Sequence, residues 1–140
     1  MRRELGDGYA LDDDPERVDV DAVHAYISGE SYWGAGRPRD VVERLIRESR
    51  RVVGLYKDGT QVGFARATSD GVCAVYLADV YVLADHRGRG LGLELVREMV
   101  ENGPLVDEGW LLHTRDMHAL YAKVGFGPPG ERVMERPRPR

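Results

Sequence analysis

Val80-Tyr81-Val82-Leu83-Ala84-Asp85-His86-Arg87-Gly88-Arg89-Gly90-Leu91-Gly92 closes the longest β-like run of the chain and opens a helix. Upstream, Ala74 to Leu83 is rich in valine and tyrosine, which suit a pleated, half-buried surface. Downstream, Leu91, Leu95, Val96 and Met99 fall on one side of a helix expected from about Gly88 to Asn102. Where the two elements meet, Gly88, Gly90 and Gly92 alternate, so backbone N–H groups can approach a ligand without side chains in the way. A helix N-terminus contributes unpaired donors and partial positive charge, and together these make an anion site suited to a pyrophosphate. Arg87 and Arg89 add full positive charge at its rim. The alternating glycines do not fit the G-x-G-x-x-G dinucleotide fingerprint, and no G-x-x-x-x-G-K-[ST] loop occurs.

Working outward, Val52 to Tyr56, the turn Lys57-Asp58-Gly59 and Val62 to Ala67 read as a β-hairpin. Tyr9 to Leu11 is a short strand before the polar turn Asp12-Asp13-Asp14-Pro15. Asp19 is placed to cap a helix carrying Val23, Tyr26 and Ile27, with Val18 and Val23 spaced as a hydrophobic staple and Gly29 at its end. Pro38 opens a second helix with Val41, Val42, Leu45 and Ile46 on one face. Towards the C-terminus, Trp110 to Thr114 reads as a strand and Asp116 as the cap of a short helix through Lys123. Gly125 closes that helix, and a final strand is expected near Glu131 to Met134. The order β-αα-βββ-α-β-α-β predicts an α/β (α+β) domain with a twisted mixed sheet flanked by about four helices.

The 140 residues, 42% hydrophobic and 31% charged, suit one soluble globular domain spanning 1–140. Alternating prolines from Glu135 to Arg140 predict a frayed tail. No apolar run approaches the roughly 18 residues of a membrane span, and the N-terminus lacks a signal-like apolar stretch, so a cytoplasmic location without membrane partners is expected. A formal net charge of −4 argues against nucleic acid as a partner. Cys73 stands alone, which excludes a disulfide framework or a cysteine-rich metal site and predicts a buried thiol. The chain is expected to be a monomer or a homodimer.

Val82 to Gly92 resembles motif A of the GNAT acyl-CoA N-acyltransferase superfamily, V-x-P-x-x-R-G-x-G-x-G, with Arg87-x-x-Gly90-x-Gly92 matching its pyrophosphate signature. Ala84 departs from the proline common there. Ala119-Leu120-Tyr121-Ala122-Lys123-Val124-Gly125-Phe126 resembles the family's second signature, A-x-x-L-Y-x-K-x-G-F, and the element order agrees along nearly the whole chain. The resemblance implies a V-shaped opening between the strands ending near Leu83 and Thr114, holding acetyl-CoA as co-substrate and no metal. Val80, Tyr81, Val82 and Leu83 would hold the pantetheine, with a backbone N–H near Tyr81 or Val82 holding the thioester oxygen. Arg87, Gly88, Arg89, Gly90, Leu91 and Gly92 would hold the pyrophosphate. Thr114 falls where many relatives have an asparagine contacting pantetheine. Tyr121 occupies the position of the general acid that protonates the departing thiolate.

Asp79, a lone carboxylate in an apolar run, is the favoured general base; a strand carboxylate holding structural hydrogen bonds is the alternative. His86, His113 and His118 are further titratable candidates. Tyr32 and Trp33, in the glycine-rich loop before Pro38, are placed to wall the amine site, or Trp33 to anchor the two N-terminal helices. The expected activity is transfer of an acetyl group to a primary amine of a small molecule or peptide. A non-catalytic acyl-CoA-binding sensor or accessory module is the alternative.

Overall fold

Six strands form a single mixed sheet in a computed structural model that describes residues 1–139; Arg140, the end of the expected frayed tail, lies outside the described residues. The sheet order follows the chain: β1 (Arg2–Gly6), β2 (Tyr9–Asp12), β3 (Arg51–Lys57), β4 (Thr60–Ser69), β5 (Val75–Val82) and β6 (Trp110–Leu111). Neighbours are antiparallel up to β5, while β5 and β6 run parallel. Between β2 and β3 lie α1 (Val20–Gly29) and α2 (Arg39–Glu48); α3 (Leu91–Glu101) connects β5 to β6, and α4 (His118–Ala122) follows.

Both faces of the central strands are covered, so consecutive side chains of β3 and β4 are buried in opposite directions. Val53, Leu55, Ala65 and Ala67 pack towards Leu91, Leu95, Val96 and Met99 of α3. Val52 and Phe64 pack towards Val23 and Ile27 of α1 and Val42 and Ile46 of α2. As anticipated, the Asp19 carboxylate caps α1 by accepting from the Ala22 N–H at 3.1 Å. Gly63 allows β4 and β5 to meet closely: a Cβ there would lie 2.9 Å from the Tyr81 carbonyl oxygen and 3.1 Å from Leu55. Gly63→Ala should therefore cost about 1–3 kcal/mol, read as a lower urea midpoint at unchanged slope. An unchanged midpoint would mean that this contact relaxes freely.

The structure corrects four expectations. Glu131 to Met134 forms no strand: Gly127-Pro128-Pro129-Gly130 breaks the chain, β6 is too short to offer a partner, and Met134 is 94% exposed. The strand expected over Trp110 to Thr114 stops at Leu111. The short helix begins at His118 rather than from an Asp116 cap, and the Thr114 hydroxyl accepts the Met117 N–H at 3.0 Å instead. Cys73 is exposed, because it lies in the β4–β5 loop. There the Asp70 carboxylate accepts its N–H and pushes its thiol pKa up. The sequence reading also missed β1, whose Arg-Arg-Glu-Leu composition shows no apolar alternation; a Gly6-Asp7-Gly8 turn with positive φ throughout folds it back on β2.

Candidate active site

The parallel pairing of β5 and β6 extends only over Val75↔Trp110 and Tyr76↔Leu111. Beyond that point β6 ends, and a cavity lies between Leu77 to Val80 of β5 and the segment His113 to Met117, where the family resemblance implies an opening. On its other side β5 stays paired with β4, but Arg66 faces Ala78 and Phe64 faces Tyr81, so Asp79 and Val80 together oppose Ala65. This is a β-bulge, and Asp79 adopts a left-handed φ of 54° within it. The Leu83 N–H donates to Val62 of β4, and backbone groups alternate along a strand, so the N–H and carbonyl of Val82 point away from β4. The Tyr81 carbonyl oxygen lies against Gly63 of β4. Of the two residues considered for the thioester contact, Val82 therefore has the N–H turned away from β4.

The glycine turn has the form its letters suggest. Gly88 and Gly90 have φ of 79° and 76°, and Gly90 is the N-cap of α3. No atom lies within 4 Å of where a Cβ would stand at either position, so both border open space. The first N–H groups of α3 lack intrahelical acceptors. Gly92 lies close to Val82, its added Cβ meeting Val82 Cγ2 at 4.0 Å. This cradle fits a pyrophosphate. The Arg87 side chain folds back, its Nε donating to the Val82 carbonyl at 2.8 Å and Nη2 to the Tyr26 hydroxyl at 3.0 Å, which ties the turn to the end of β5. Arg89 is exposed beside it.

The cavity has a volume of about 510 Å³, in the range of small-molecule sites. Tyr32 and Trp33 from the α1–α2 loop line it, as do Asp79 and Val80 of β5, Thr114 and Tyr121. It thus gathers both predicted acceptor residues, both predicted catalytic residues and two of the predicted cofactor contacts. Tyr81, Val82, Leu83 and the glycine turn lie outside its wall.

Asp79 is the hub of this cavity. Its carboxylate accepts from Trp33 Nε1 at 2.7 Å, from Arg66 Nε at 2.6 Å and from Arg37 Nη1 at 3.0 and 3.2 Å. Burial pushes its pKa up, but Arg66, then Arg37 and the Trp33 N–H, outweigh burial and hold it below the usual carboxylate range. Trp33 both anchors the loop to the sheet and lines the cavity. Across the opening, the Tyr32 hydroxyl accepts the Arg115 N–H at 3.0 Å, and the Arg115 guanidinium lies 3.9 Å above the Tyr32 ring.

Tyr121 is buried against Phe126, and burial, with smaller contributions from Tyr32 and Asp116, pushes its phenol up to about 12. It therefore keeps its proton at neutral pH. His113 lines the cavity with Nδ1 2.6 Å from the Tyr76 hydroxyl, while His86 pairs with Tyr9 elsewhere and His118 lies outside the wall. The sequence reading passed over Arg66 and Arg37. Arg66 stands in the apolar run Val62-Gly63-Phe64-Ala65-Arg66-Ala67, the same lone-charge signal that singled out Asp79.

Comparison with known proteins agrees with this architecture. The sequence profile of the acetyltransferase (GNAT) domain matches residues 48–128. A Gibberella zeae protein described as a candidate acetyltransferase is 33% identical, over 84% of this chain and 78% of its own. A crystal structure from Xanthomonas campestris, a candidate acetyltransferase of the GNAT family, superimposes with a TM-score of 0.86 at 36% identity, covering 94% of each chain. A candidate acetyltransferase from Deinococcus radiodurans shares the fold at 23% identity, with a TM-score of 0.71 over 96% of this chain and 93% of its own. The chain belongs to the GNAT acetyltransferase family, and is a transferase of the acyltransferase type. Among the described residues no group of His, Cys, Asp and Glu is arranged to hold a metal ion, and no helix is long and apolar enough to cross a membrane.

Proposed function

We propose that this chain transfers the acetyl group of acetyl-CoA to a primary amine by direct attack within one ternary complex. The observation that carries this reading is the cavity beside β5 where its pairing with β6 stops, lined by Val80, Thr114 and Tyr121, with the glycine cradle following the end of the same strand. The pyrophosphate rests on Gly88 to Gly92 with Arg89 beside it, and the pantetheine runs along Val80 to Leu83, contacting Thr114. The Val82 N–H steadies the thioester oxygen as negative charge develops there. Most of the rate gain comes from holding amine and thioester in attack geometry.

As the amine nitrogen bonds to the carbonyl carbon, the C–S bond breaks. Tyr121 gives its phenolic proton to the departing thiolate, and the proton lost by the amine passes towards His113. Asp79 already holds three donors and a depressed pKa, so we assign it to positioning Trp33, Arg37 and the bulge rather than to taking that proton. The cavity beyond the bulge favours an enzyme over an acyl-CoA-binding sensor, which needs no space for a second substrate.

Release of free thiol from acetyl-CoA across a panel of amines tests the reading. Tyr121→Phe should lower turnover by about 10- to 100-fold while leaving CoA-induced thermal stabilisation intact. Wild-type turnover in that variant would remove Tyr121 as the acid. Tight CoA binding without turnover of any amine would favour the sensor.

A further inference from the structure

We propose that the acceptor amine also carries an oxyanion, a carboxylate or a phosphate, and that Arg66 and Arg37 receive it; this rests on the transferase reading above. Arg66 is only 9% exposed, yet of its three nitrogens Nε alone hydrogen-bonds within the described residues, to Asp79 at 2.6 Å. Its two amino nitrogens are not sealed from solvent, and the residue lines the cavity. Arg37 likewise uses only Nη1, on the same carboxylate. One aspartate thus faces two guanidinium groups, and a positive charge is left without a counter-ion in a largely desolvated place.

The rest of the wall strengthens the imbalance. Arg115 and Arg138 also line the cavity, and Asp116 is the only further carboxylate among its lining residues. Around it the chain as a whole carries a formal net charge of −4. A positive pocket in an acidic protein concentrates small anions. The phosphates of CoA do not account for this surplus, because the glycine turn that fits them contributes no residue to this wall. A planar guanidinium offering paired donors matches a carboxylate or phosphate in geometry as well as charge. Tyr32, Trp33 and Tyr121 leave flat apolar surface for the remainder of the acceptor, which suits an amino acid with an apolar or aromatic side chain.

The test compares matched ligands on the unaltered chain. With acetyl-CoA, phenylalanine should exceed phenethylamine by about tenfold or more in kcat/KM, the scale of a charge-assisted hydrogen-bond pair. O-phosphoethanolamine set against ethanolamine reports the phosphate form of the same chemistry. Equal or reversed preference in both pairs would overturn the proposal. A second readout avoids catalysis: on the CoA-loaded protein, phenylacetate should bind about tenfold or more tighter than phenylacetamide by calorimetry. Arg37→Gln and Arg66→Lys should each narrow that gap, and the ligand comparison needs neither variant to fold. Phenylacetate binding without turnover of any amine would sink the transferase reading and keep the anion site. Turnover without any preference for an anionic acceptor would do the reverse.

Discussion

Asp79→Ala is expected to destabilise the fold by about 3–5 kcal/mol, the cost of removing one member of a buried ion cluster and leaving its partners charged. The residue is 8% exposed, and its loss strands the 9% exposed Arg66 with no carboxylate in reach of its Nε. It also releases Trp33 and Arg37, so the α1–α2 loop loses its tie to the sheet. Asp79→Asn keeps acceptor capacity for Trp33 but not the charge, and should fall between the two. The pH dependence has a definite sign. The folded pKa lies below the unfolded value of about 3.9, so this contribution is fully present above pH 4. It is lost as pH falls through the depressed folded value, and there the wild type and Asp79→Asn should converge. Urea unfolding at neutral and acid pH measures both effects. Equal midpoints for wild type and Asp79→Ala at neutral pH would show that the cluster contributes nothing net.

Gly90→Val should abolish CoA-dependent thermal stabilisation. At φ 76° a branched side chain costs about 1–2 kcal/mol, so the fold should persist in weakened form. The new side chain meets no protein atom within 4 Å of its Cβ, because it projects into the space assigned to the pyrophosphate. Wild-type protein at a CoA concentration 100 times Kd gains about 2.7 kcal/mol, a readily measured rise in Tm. An undiminished rise in the variant would remove the phosphates from this turn. Because the two effects are read separately, as apo stability and as response to CoA, general damage is distinguishable from lost binding.

Much of the fold was legible because periodicity and punctuation agreed. The hairpin at Lys57-Asp58-Gly59, the Asp19 cap and the α3 stripe of Leu91, Leu95, Val96 and Met99 all stand where local chemistry places them. β1 was not legible, since Arg2-Arg3-Glu4-Leu5-Gly6 at the sheet edge offers a single large apolar side chain and so no period-two pattern. Nor was the loss of the last strand: Glu131 to Met134 has suitable letters, but sheet membership needs a partner edge that β6 does not supply. At the site, single residues could be marked but not paired. Asp79 was visible as an expensive buried carboxylate. Its partners Arg66 and Arg37, which reach it from 13 and 42 residues away, were not visible as partners. Glu98 makes the same point, buried at 2% exposure on α3 by Arg51 and Arg3 from two different strands.

The two-residue pairing of β5 with β6 also bears on how the molecule avoids its own kind. An open run of backbone donors and acceptors on a sheet rim invites a second sheet to zip on, and proteins commonly guard such rims with charge or proline. Here β6 ends at Leu111, and the length of β5 from Leu77 to Val80 is faced across the cavity by the segment from His113 to Met117 instead. A slender extended molecule can slide into such a notch, whereas a whole sheet edge is too broad to enter. The gap proposed above to receive a ligand therefore also works as a filter on width, keeping an adhesive stretch of main chain available without exposing it to aggregation.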